Sequence, residues 1–172
     1  MRVVHRADQP VVPWKNGRGT TREILVVPEG ASPDDRVARL SLATVAEDGP
    51  FSTFSGIDRW IAVVEGPGMD LTVDGAPVAL DPFRVVRFPG DAPTVGRLRG
   101  SPVRDLNLMV RRPARGAARI LETTSILADR TTLLYVLSGS LGPLGEGDAA
   151  VLDAGERIEG RARVFVGEVE GP

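Results

Sequence analysis

Arg104-Asp105-Leu106-Asn107-Leu108-Met109-Val110-Arg111 decides how this chain folds. Leu106, Leu108 and Val110 recur at every second position, whereas an amphipathic helix repeats its apolar residues every three to four. The segment therefore reads as a strand with two unlike faces. Leucine and valine face a core, and Asp105, Asn107 and Met109 face either solvent or a cavity. Asn107 is one of only two asparagines in the chain, the other being Asn16. Lys15, beside Asn16, is the sole lysine against 20 arginines. A composition that avoids Asn and Lys this strongly retains them where their chemistry has no substitute, because an amide is donor and acceptor at once.

The same short-period pattern extends in both directions. Strands are expected at Arg22–Val27, Val37–Val45, Arg59–Glu65, Met69–Val73, Arg84–Phe88, Val103–Val110, Arg119–Thr123, Thr132–Leu137, Ala149–Leu152 and Val164–Val169. Asp74-Gly75 suits a two-residue hairpin turn between strands. No stretch shows a helical apolar period, and 20 glycines with 14 prolines supply corners. The chain reads as all-β. A strand, a glycine-containing corner and a return strand near a Gly-Asp turn occur twice. The first copy runs from Trp60 to Asp91 and the second from Leu133 to Leu152, with the second corner at Ser138-Gly139-Ser140. Jelly rolls and cupins close their double sheets in this way. The repeat implies two barrels in one chain, a first unit over 1–112 and a second over 113–172, with strands open to exchange between the halves. Pro113–Ala117 is the expected joint.

Composition removes several functions. The net charge of -2 with interspersed signs offers no basic stripe for nucleic acid, and 5% aromatic content is a poor base-stacking platform. There is no cysteine and one histidine, His5, so neither a thiol nucleophile nor a conventional transition-metal ligand set is expected. No stretch approaches the roughly 18 apolar residues of a membrane helix, and Met1–Arg6 lacks the apolar core of a secretory signal. The expected location is the cytoplasm.

Chemistry can then sit on the polar strand faces. Arg39 and Ser41 share a face opposite Leu40 and Leu42, and Thr21 and Glu23 share one opposite Arg22 and Ile24. Gly17-Arg18-Gly19-Thr20-Thr21 lacks phosphate-loop spacing and leads into a strand. A Ser-His-Asp triad would need His5, and no serine carries the matching signature. Glu23, Asp58 and Asp105 could serve as acid or base, but ion pairs to Arg22, Arg39 or Arg59 are the plainer role for each. Arg39 and Arg59 can together clamp a ligand carboxylate. Gly49-Pro50-Phe51-Ser52-Thr53-Phe54-Ser55-Gly56 reads as a structured loop whose Phe51 and Phe54 plug the barrel.

Three motifs in order give a resemblance. Pro13-Trp14-Lys15-Asn16-Gly17 with Gly19-Thr20-Thr21-Arg22-Glu23, then Gly49-Pro50-Phe51-Ser52 with Gly56-Ile57-Asp58-Arg59, then Asp105-Leu106-Asn107-Leu108-Met109 resemble the HutD/Ves family. The resemblance implies a bicupin, two cupin-like β-barrels of jelly-roll type, without the usual cupin metal or any cofactor. It implies a regulator of histidine utilisation that binds a small carboxylate-bearing pathway intermediate, such as formylglutamate or urocanate. Arg18 departs from a glycine usual in the family's Asn-Gly-Gly-Gly stretch. Ala38 stands where a tryptophan often precedes the Arg-x-Ser strand, a change expected to reshape the pocket.

The preferred reading is therefore a metal-free ligand-binding protein. Its pocket is expected to use Trp14, Asn16, Thr21, Glu23, Arg39, Ser41, Phe51, Ser52, Arg59, Asp105 and Asn107. The asparagines would read an amide or formyl group, and an arginine would hold the carboxylate. The alternative is a small hydrolase, lyase or isomerase with Glu23 or Asp105 as general base. A third possibility is a structural module whose motifs lock two barrels together. A cupin-type sheet edge could also pair into a homodimer.

Overall fold

A computed structural model describes residues 1–14, 17 and 19–171. Its strands are β1 (Arg2–Val4), β2 (Val11–Pro13), β3 (Gly19–Val27), β4 (Ala38–Val45), β5 (Gly49–Pro50), β6 (Ile57–Glu65), β7 (Met69–Val73) and β8 (Ala76–Leu80). They continue with β9 (Val86–Pro89), β10 (Thr94–Leu98), β11 (Val103–Arg111), β12 (Arg115–Leu127), β13 (Thr131–Leu141), β14 (Ala149–Leu152) and β15 (Arg157–Glu170). A 3-10 turn at Arg6–Asp8 is the only helical element among the described residues. No helix there is long and apolar enough to cross a membrane.

Every expected strand forms, with bounds that shift for local reasons. Phe83 takes a positive φ and Arg84 N–H bonds to Asp81 O, so a turn delays β9 to Val86. Strand β15 starts at Arg157, because Ile158, Ala162, Val164 and Val166 all point inward and extend the period-2 pattern. Four short strands, β1, β2, β5 and β10, were not expected, and β8 is the return arm of the expected hairpin. Asp74 and Gly75 both take positive φ and pair Val73 with Ala76, as the hairpin signal requires. The second copy of the corner differs from expectation. Gly139 lies within β13, beside a register shift at Val136/Ser138, and the strand runs on to Leu141. A Cβ at Gly139 would sit 2.3 Å from the Arg161 carbonyl oxygen, so this glycine serves a bulge rather than a corner.

The strands form three sheets, in the orders β2-β3-β4-β11-β6-β9, β5-β10-β7-β8 and β1-β14-β13-β15-β12. The first strand, β1, thus pairs with β14 near the C-terminus, while residues 112–114 alone separate β11 from β12.

The core follows from alternation. Leu40, Leu42, Leu106, Leu108, Val110 and Trp60 of the six-stranded sheet join Leu133, Tyr135, Phe165 and Val151 of the five-stranded sheet in one cluster. This shared core binds the two halves. The far face of the five-stranded sheet carries an apolar cluster of Leu134, Val136, Leu152, Val164 and Val166. The far face of the six-stranded sheet meets the four-stranded sheet through Ile61, Val63, Met69, Leu71 and Leu80. At roughly 1.5–3 kcal/mol per buried aliphatic side chain, these clusters supply the main drive to fold. One end of the last interior is polar, and the candidate site lies there.

Candidate functional site

Register builds the site in rows. Across β4, β11 and β6, Met109 stands between Arg39 and Arg59, Asn107 between Ser41 and Ile61, and Asp105 between Ala43 and Val63. With strands about 4.8 Å apart, the two arginines spring from points roughly 10 Å apart on one face. Opposite this face lie Pro50, Phe51, Ser52 and Phe54, and Pro13, Trp14 and Thr21 close the side. The cavity, open on one side, measures about 490 Å³, within the range of small-molecule sites.

Two glycines let the walls approach. A Cβ at Gly19 would lie 2.9 Å from Trp14 Cζ3 and 2.2 Å from the Thr44 carbonyl oxygen. A Cβ at Gly96 would lie 2.8 Å from the Phe51 ring. Trp14 is further fixed by its indole N–H, which donates to Thr21 Oγ1 at 2.7 Å.

Arg59 is the dominant charge. It is only 4% exposed. Its guanidinium lies 5.6, 5.4 and 5.0 Å from the ring centres of Phe51, Phe54 and Phe88, a cation–π arrangement from three sides. Its Nε donates to Asn107 Oδ1 and its Nη1 to the Ser52 carbonyl, both at 3.4 Å. Burial lowers its pKa to about 10, and Arg39 adds to that push while Asp105 opposes it. At neutral pH Arg59 stays charged, held by long hydrogen bonds that an anion could outcompete.

Arg39 is anchored differently. Its Nε donates to Glu23 Oε2 at 3.0 Å, and Arg36 donates to the same oxygen at 3.0 Å. Glu23 therefore stands behind Arg39 and not on the cavity wall. Glu23 keeps the face it shares with Thr21, paired with Ser41, and its bonds to Arg36 and Arg39 hold it off the cavity wall.

Asp105 is the unusual group. It is 1% exposed, and its Oδ2 finds no hydrogen-bond donor among the described residues. Burial raises its pKa to about 7, with Arg59 pulling the other way. Asn107 accepts from Arg59 through its Oδ1, and among the described residues none accepts from its amide nitrogen.

Of the residues singled out in the sequence, Trp14, Thr21, Arg39, Ser41, Phe51, Ser52, Arg59, Asp105 and Asn107 line this one cavity. Asn16 falls outside the described residues. Phe54 and Met109 also line it, and Phe88 reaches Arg59 from β9 with no local signal to mark it. Three expectations change. Ala38 packs in the shared core with Leu40, on the opposite face from Arg39 and Ser41, so its size cannot directly reshape the cavity. Asp58 pairs with Arg87 and Arg112 instead of Arg22, Arg39 or Arg59. Asp105 forms no ion pair among the described residues. His5 sits outside the cavity, exposed, with Nδ1 3.3 Å from Asp148.

Among the described residues no three His, Cys, Asp or Glu side chains converge to hold a metal. A wider, more open cleft of about 670 Å³ lies on the five-stranded sheet. Its Arg163 and Glu122 pair with each other, and among the described residues it holds no buried, unpartnered polar atom like Asp105 Oδ2.

Residues 6–165 match the family described as HutD. The chain belongs to the HutD family. It is 35% identical, over 99% of its length and 93% of the relative's, to an uncharacterised 21.2 kDa protein in the hutC 3′ region of Pseudomonas putida. It is 33% identical to protein Ves of Citrobacter koseri, over 76% of this chain and 70% of that one. Two solved structures superpose along nearly all of both chains. HutD from Pseudomonas fluorescens SBW25 gives a TM-score of 0.80 at 31% identity, covering 98% of each chain. A conserved protein of unknown function from Pseudomonas aeruginosa PAO1 gives 0.87 at 32%, covering 99% of this chain and 98% of that one. An oxalate decarboxylase matches with a TM-score of 0.71 at 8% identity over 98% of this chain and 77% of that one, a likeness of fold alone. This chain thus has the all-β bicupin fold of jelly-roll type, its sheets packed as open layers.

Proposed function

We propose that this HutD protein binds a small carboxylate-bearing intermediate of histidine breakdown, such as formylglutamate or urocanate, and thereby tunes the pathway. The observation that carries this reading is Arg59, a buried cation inside a cavity and without an ion-pair partner among the described residues. Burying a charge costs several kcal/mol unless a partner compensates it, and the three rings and two long hydrogen bonds are modest compensation. A ligand carboxylate would complete the site, with Arg39 on the adjoining row as a second donor. Asn107 then has an amide donor to spare for a formyl or amide oxygen. The hutC neighbourhood belongs to the Pseudomonas putida relative's name and supports the choice of pathway by kinship.

Calorimetric titration of the purified protein with formylglutamate and with urocanate tests the reading. Saturable binding of one of them, lost in Arg59→Met, is the expected result. If neither binds at millimolar concentration, the proposal fails.

A second reading has one observation in its favour. A buried carboxyl with a pKa near 7 is suited to act as general base. Conversion of either compound, abolished by Asp105→Asn while binding persists, would establish an enzyme.

A further inference from the structure

We propose that Asp105 makes ligand capture proton-coupled: when a carboxylate docks against Arg59 and Arg39, Asp105 takes one proton from solvent and donates a hydrogen bond from it to the ligand. This rests on the carboxylate-binding reading of the cavity and names the ligand's chemistry more closely. The site takes anions that present an oxygen acceptor toward Asp105, not ligands that present an N–H or ammonium there.

Position is the first argument. Asp105 shares the cavity wall with Asn107, one ladder row along, and is 1% exposed. An acceptor such as its Oδ2, buried without a donor, is costly to keep, and no hydrogen bond from the described residues offsets that cost. A ligand, a proton or both would.

The charges around it supply the second argument. On β4 the facing charged group is Arg39, on β6 it is Arg59, and on β3 it is Glu23, already held by Arg36 and Arg39. The loop over the cavity brings Phe51, Ser52 and Phe54, and the segment beside it brings Pro13 and Trp14, none of them titratable. From the four-stranded sheet come Met69 and Leu71. On β11 itself, Arg104 pairs with Glu65 on the other face. Arg59 is thus the cation whose field favours ionised Asp105. A carboxylate docked on Arg59 cancels that field and adds a second negative charge nearby. Two carboxylates in a low-dielectric site do not both stay ionised. The proton goes to Asp105, whose burial already holds it near neutrality, while the ligand keeps its ion pair with Arg59. The balance is simple: one anion and one solvent proton enter, and no covalent bond changes.

The test is calorimetry with formylglutamate and, separately, with acetate as a generic carboxylate, at about pH 7.5 in phosphate and in Tris. These buffers differ in ionisation heat, so proton uptake appears as a buffer-dependent binding heat. The expected result is uptake of about half a proton or more, with affinity weakening as pH rises from about 7 to the raised midpoint, about tenfold in all for a one-unit rise. In Asp105→Asn the amide supplies the donor permanently, so binding should show no buffer-dependent heat and no pH dependence above neutrality. A carbon-detected NMR titration of the wild-type Asp105 carboxyl needs no variant. Its midpoint should lie near neutrality in the free protein and rise by at least one pH unit at ligand saturation. Equal heats in both buffers, or an unmoved midpoint with ligand bound, overturns the proton coupling and leaves the binding reading standing. Binding of neither carboxylate overturns both.

Discussion

The two barrel interiors are built on the same rule and filled to opposite ends. In the second, alternate residues of β13, β14 and β15 send Leu134, Val136, Leu152, Val164 and Val166 into an apolar cluster. In the first, alternate residues of β4 and β11 send Arg39, Ser41, Asp105 and Asn107 inward, and a cavity of about 490 Å³ remains among them. Strand alternation buries a face without fixing its polarity. Both interiors share one dividing core, so the stable, filled half acts as the scaffold against which a costly polar half can be held.

That contrast can be broken from either side. The largest effect on stability is expected in the filled interior. Leu134→Ala there should cost about 2–5 kcal/mol in urea unfolding, since the site is fully buried and packed. The same measurement on Ser41→Ala should show a much smaller loss. In the polar interior the largest effect should fall on binding. Arg59→Met should weaken carboxylate affinity roughly 100-fold, in line with losing a buried charge-assisted contact. Folding stability should hold or rise in that variant, because a desolvated cation is removed.

Asp105→Asn should change the pH dependence of stability. The native carboxyl keeps its proton up to about pH 7, whereas in the unfolded chain it loses it near pH 4. Between those values the native state binds more protons, so this group makes stability fall as pH rises, by at most about 1.4 kcal/mol per pH unit. The asparagine variant should lose that slope and gain most, relative to wild type, above pH 7. The smallest effect is expected at Gly96→Ala, whose methyl would press on the Phe51 ring. A several-fold change in affinity with little change in melting temperature would place Phe51 as a movable wall.

The faces of β4 and β11 were legible because a period of two assigns each side chain without tertiary information. Arg39, Ser41, Asp105 and Asn107 stood together on that ground. The same pattern could not say whether the polar face met solvent or a cavity, since both demand the same alternation. That depends on the loop from Pro50 to Phe54 and on β10, a short strand with Gly96 at its centre and weak local preference. Glu23 lies on the face assigned to it, opposite Ser41, but Arg36 and Arg39 take up its carboxylate, and face alternation alone does not name those partners. Phe88 met Arg59 by long-range pairing of β6 with β9, beyond the reach of any local rule. Ala38 was misjudged for a simpler reason: the residue preceding Arg39 necessarily points the other way.

The central claim is that Arg59, buried among three phenylalanines in the polar barrel, holds a ligand carboxylate. The most direct measurement is the calorimetric affinity of formylglutamate for the wild type and for Arg59→Met, with circular dichroism to verify the fold of both. Saturable binding to the wild type and a loss of about 100-fold in the variant is the predicted result. Equal affinity in two folded proteins would contradict it.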